Sequence, residues 1–177
     1  MTEDMSLPAT IERALEAHEA FDRGTDGDGY ELTTTVFETS ITASDAEEPR
    51  DGRFHVTMTV PTLDAAVANE SVATVVEDGW FETFERRLAD IFGVANTSTH
   101  EQPEIEREGR VVRVHLEYVA WNASEGVDDA KTLLEYVEGT YAQGIIPGYE
   151  YRGPAGELLE NAQTRGERAV DDGDTPL

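Results

Sequence analysis

Two histidines and a carboxylate are the residues of this sequence best spaced for chemistry. Phe54, Val56, Met58 and Val60 alternate with His55, Thr57 and Thr59, and Val112, Val114, Leu116 and Tyr118 alternate with Arg113, His115 and Glu117. Successive side chains of a strand point to opposite faces. His55, His115 and Glu117 therefore belong to the polar faces of two half-buried strands. If those strands are neighbours, two imidazoles and a carboxylate meet, a set able to ligate a metal or to move protons, as in a small hydrolase. The plainer reading is a solvated sheet face, because sequence leaves strand pairing and register open.

A second group is apolar. Gly144 to Pro154 holds Ile145, Ile146, Tyr149 and Tyr151 among three glycines and two prolines. Such a loop either packs over the core or offers aromatic anchors to a partner. Trp80 and Phe81 raise the same question, because adjacent helical positions face different directions. One of them is exposed unless two layers cover the helix.

The remaining motifs carry less. His18 falls on the apolar stripe of a helix and reads as a core histidine satisfied by one hydrogen bond. Asp26-Gly27-Asp28-Gly29 suggests calcium, but counting from Asp26 puts Tyr30 at the fifth position and Phe37 at the twelfth, where an EF-hand loop needs oxygen ligands. An acidic turn fits better. Arg107, Arg110 and Arg113 bracket a hairpin, yet Glu104, Glu106 and Glu108 interleave with them, so ion pairing is a better use than nucleic acid. The sequence has no phosphate-binding glycine loop, nucleophile elbow or zinc-protease motif. Without cysteine there is no disulfide or thiolate chemistry. No cofactor is expected.

The elements that would position these residues follow from periodicity. A helix is expected from Pro8 to Phe21, a strand from Tyr30 to Ala43 and a second strand through Phe54–Val60. Thr62 caps a short helical piece, Leu63 to Ala68. Helical spacing runs from Val72 to Phe92, but Gly79 moves the expected start towards Trp80. Pro103 marks an edge strand, and Glu108-Gly109 a hairpin turn leading into the strand through Val112–Tyr118. Ser124 caps a helix to about Tyr141, and a last short helix spans Ala155–Gln163. Two strand-strand-helix units predict an α+β fold, a single domain over residues 1–167. Its antiparallel sheet has about four strands, with helices on one face. Residues 168–177 read as an acidic, frayed tail.

Charge is the strongest compositional signal. The 177 residues include 38 acidic and 13 basic ones, twelve of them Arg, for a formal charge of −25. The carboxylates are spread between periodic segments, so they coat a folded domain. Such self-repulsion is tolerable where salt screens it; the Debye length falls to about 3 Å at 1 M. Acid excess with Lys131 as the sole lysine reads as a halophile's protein. The chain lacks a signal-peptide pattern and an apolar run long enough to span a membrane, which places it in the cytoplasm.

Val76 to Leu88, Tyr136 to Tyr151 and the Thr-rich stretch Tyr30 to Val36 together resemble an uncharacterised haloarchaeal domain family of unknown function. The resemblance implies a halophilic archaeal source and carries no activity or site residues. The expected function is accordingly a non-catalytic interaction or adaptor module with a protein partner. A homodimer is one form of it. It would use the Gly144–Pro154 loop or the sheet face. The alternatives are a small-molecule or metal-binding protein built on His55, His115 and Glu117, and a nucleic-acid contact through Arg107–Arg113.

Overall fold

Alternating burial along two ten-residue strands sets the architecture. The computed structural model describes residues 7–24 and 29–162. In β4 (Gly52–Pro61) every second residue is buried, and in β7 (Val111–Ala120) Val112, Val114, Leu116 and Tyr118 are buried while Arg113 is exposed and His115 and Glu117 half-buried. The two strands pair antiparallel along their whole length. Around them lie β1 (Phe21–Arg23), β2 (Tyr30–Leu32), β3 (Glu38–Ser44) and β6 (Glu104–Glu108), in the order β1-β2-β3-β4-β7-β6. The sheet thus has six strands rather than four.

The two additional strands come from segments the periodicity did not resolve. The first helix, α1, covers Ala9–Ala17 and stops four residues before Phe21. His18 leaves helical geometry, its Nδ1 accepts from the Ala20 amide at 3.1 Å, and Phe21 enters the core from β1 instead. The Tyr30–Ala43 stretch is two strands, because residues 33–37 turn. Thr33 bonds back to the Ala20 carbonyl, the Thr39 hydroxyl accepts from the Leu32 amide at 2.8 Å, and the turn drives Phe37 into the core.

Helices cover one face of this sheet. The long helix α4 (Ala123–Gln143) lies on β4 and β7, burying Val127, Leu133, Leu134 and Val137 against it. Its cap is Asn122, whose side chain accepts from the Ser124 and Glu125 amides, so Ser124 is already inside the helix. Asp129, although charged, is buried on α4. It accepts from the Asn96 and Thr97 amides at 2.7 and 3.0 Å, which ties the approach to β6 onto the helix.

Helix α3 spans Thr74–Leu88 and so begins before Gly79. A helical glycine costs about 1 kcal/mol relative to alanine; burial of Trp80, Phe84 and Leu88 one turn apart outweighs it. The short α2 (Leu63–Ala66) is capped by Thr62 as expected. Two-residue strands β5 (Val67–Ala68) and β8 (Glu150–Tyr151) form a separate ribbon, and residues 153–162 form α5. In the β6–β7 hairpin the turn residues are Gly109 and Arg110, with Glu108 opposite Val111. Gly109 has φ +61°, the sign such tight turns require of their first residue. The expected tail and the Asp26-Gly27-Asp28 turn lie outside the described residues.

Candidate functional site

Two concave regions bear the residues singled out by sequence, one on each side of the sheet. On the open face, β4 and β7 set His55 directly opposite Glu117 and Thr57 opposite His115. The histidines are therefore diagonal neighbours. His55 Nδ1 lies 3.0 Å from Glu117 Oε1, and Arg53 reaches the other carboxylate oxygen at 3.2 Å. His115 Nδ1 is 3.0 Å from the Thr57 hydroxyl. Residues 101–104, leading into β6, wall off a shallow groove of about 890 Å³ over these side chains. No three His, Asp or Glu side chains among the described residues group as metal ligands.

Ser44 completes a feature with no signal in sequence. It sits on β3, and its Oγ is 3.4 Å from His55 Nε2. Ser44, His55 and Glu117 thus stand in nucleophile–base–carboxylate order. The contact is at the outer limit of a hydrogen bond. Ser44 also forms no part of the groove wall, which extends from His55 towards β6. A molecule in that groove would have the hydroxyl on the far side of the imidazole. The cluster is an ion-paired, half-exposed sheet surface, and such pairs contribute about 0–1 kcal/mol each.

The other region is apolar and lies between α3 and the end of α4. Trp80 stacks on Phe84 at 5.7 Å, and both meet Tyr141 edge-on. The Tyr141 hydroxyl donates to the Pro61 carbonyl, and burial raises its pKa well above the ordinary phenol value. This aromatic wall faces Ile145, Ile146 and Pro147 across a groove of about 320 Å³. Tyr151 holds the loop in place: its hydroxyl accepts from the Ile146 amide at 2.8 Å and donates to the Ile146 carbonyl at 3.1 Å. Burial raises its pKa too. The β5–β8 ribbon and the Arg152 amide, which donates to the Ala66 carbonyl, anchor the loop's far end.

Of the six apolar candidates, Trp80, Ile145 and Ile146 line this groove, and Tyr151 braces it. Tyr149 is half-buried against the core outside the lining. Phe81 is half-buried on another side of α3, under the Arg107 guanidinium at 4.8 Å from the ring, with Arg107 also bound to Asp78 at 3.0 Å. Two layers therefore cover the Trp80-Phe81 pair. Arg87, Thr83 and Gln143, which nothing in the sequence ties to the loop, also line the groove. Arg87 could have been found by noting that it follows Trp80 by two helical turns.

The arrangement a nucleic-acid contact needs, three arginines on one surface free of carboxylates, is not formed. Arg107, Arg110 and Arg113 pair with Asp78, Asp64 and Glu108. His18 is half-buried rather than in the core, 3.6 Å from Asp128 and edge-on to Phe21. No helix among the described residues is long and apolar enough to cross a membrane.

A long helix and a shorter one against one face of an antiparallel sheet define an α+β domain with two surface grooves. The chain belongs to a family of unknown function, DUF5813, whose model matches residues 16–161. No curated protein and no solved structure matches the chain.

Proposed function

We propose that the protein is a non-catalytic interaction module that receives an apolar side chain of a protein partner in the groove between α3 and residues 144–147. The observation that carries this reading is the composition of the groove wall. In a chain with 38 acidic residues among 177, the wall holds Trp80, Phe84, Ile145, Ile146 and Pro147 and no carboxylate. An apolar cleft braced by a tyrosine clamp is already shaped before anything binds, which lowers the ordering cost of association. Burying one leucine-sized side chain contributes about 2 kcal/mol. A micromolar complex needs about 8 kcal/mol, so contacts beyond the groove complete the interface.

Site-specific cross-linking tests this. A photoreactive residue at Pro147, exposed on the groove wall, is expected to yield one discrete adduct in extract of the source cells held at multi-molar KCl. The same group at Val75, exposed on α3 but outside the groove, should yield none. An adduct of twice the chain mass would identify the partner as a second copy. Identical patterns from both positions would contradict the proposal.

A further inference from the structure

From the same groove, and resting on that reading, we infer that the partner segment carries a carboxylate beside its apolar side chain, and that Arg87 and the Trp80 indole N–H receive it. Arg87 is exposed at the groove wall on the last turn of α3 and forms no ion pair among the described residues. Among the described residues, Arg23, Arg53, Arg107, Arg110, Arg113 and Lys131 lie on carboxylates, whereas Arg13, Arg50, Arg86, Arg87 and Arg152 do not. Of these five, Arg87 is the one on the groove wall, so the wall carries a guanidinium that no carboxylate of the described residues occupies.

The second donor is independent of charge. The Trp80 indole N–H makes no hydrogen bond among the described residues, yet no buried side-chain polar atom there lacks a partner. The N–H therefore reaches the groove opening. Gly144 keeps it open: a Cβ at that position would stand 3.1 Å from Nε1. Thr83 and Gln143 add polar groups to the same wall. An apolar floor with a planar cation and a neutral N–H at its edge suits an amphipathic anion. Arg is the side chain whose forked donors match a carboxylate. At molar salt the charge of the remaining surface is screened within about 3 Å, so direct contact with Arg87, and not long-range attraction or repulsion, decides the binding.

The probes are two short blocked peptides, identical except that one has aspartate and the other asparagine next to a central leucine. Binding is followed in multi-molar KCl by the Trp80 indole N–H resonance. The aspartate peptide is expected to bind about ten-fold tighter. Arg87→Gln should abolish the difference between the two peptides. Arg86→Gln removes the same charge one residue away, outside the groove wall, and should preserve the difference. Equal binding of the two peptides to the unaltered protein would overturn the inference and leave the groove reading standing. Loss of the difference in Arg86→Gln would also overturn it, by reducing the effect to general charge. If neither peptide shifts the Trp80 resonance, both readings fall.

Discussion

Gly126 and Gly139 occupy the same helix in opposite circumstances. A Cβ on Gly126 would lie 2.4 Å from Phe54 Cε1 and 2.7 Å from the Ala120 Cβ, so α4 approaches the sheet this closely only because no side chain intervenes. Nearby, the buried Tyr118 hydroxyl donates to the Gly126 carbonyl at 2.6 Å and would be displaced by any retreat of the helix. Gly126→Ala is expected to cost about 1–3 kcal/mol through overpacking. Gly139 faces open space, where alanine only improves helix propensity, and Gly139→Ala should stabilise by about 0.5–1 kcal/mol. Denaturant midpoints at one fixed high salt concentration measure both. Shifts in the same direction would contradict the packing of α4 described above. Arg87 shows the opposite kind of residue, one whose role depends on what it lacks: a carboxylate partner in a surface crowded with carboxylates.

At the scale of elements, strict alternation made β4 and β7 readable from sequence, and with them the placement of His55, His115 and Glu117 on one polar face. Their register was not readable. Whether His55 meets Glu117 or misses it depends on a long-range pairing that no local pattern specifies. Short strands were lost for a related reason. A three-residue strand such as β1 has too few positions to show a period, and its Phe21 fitted the preceding helix equally well. Gly79 misled in the other direction: local propensity argued for a later helix start, and the burial of Trp80, Phe84 and Leu88 overrode it. The groove was half legible. Ile145, Ile146 and Trp80 stood out as apolar residues without an evident use, whereas Thr83, Arg87 and Gln143 join them only once α3 packs beside the end of α4.

The whole molecule is dominated by its charge. Lys131 and half of the described arginines already pair with carboxylates, and the rest of the 38 acidic groups remain to repel one another. The Debye length grows from about 3 Å at 1 M to about 30 Å at 0.01 M, so dilution turns short-range repulsion into repulsion across the domain. The folded state is therefore expected to lose its far-ultraviolet helical signal when salt is lowered to tens of millimolar, and to melt at a higher temperature in multi-molar KCl. An unchanged spectrum and melting point across that range would contradict this. The two sides of the sheet also divide the molecule. One carries the helices and the apolar groove, and the other carries polar side chains engaged with one another.

The central claim is that binding belongs to the helical side. It is tested most directly by titrating isotope-labelled protein in multi-molar KCl with 3-methyl-1-butanol, an alcohol that reproduces a leucine side chain. The account predicts saturable shifts of the Trp80 indole N–H and of the Ile145 and Ile146 methyl groups, with the His55 and His115 ring signals unmoved. Saturable shifts of the His55 and His115 signals with Trp80 unmoved would place binding on the sheet face and contradict it.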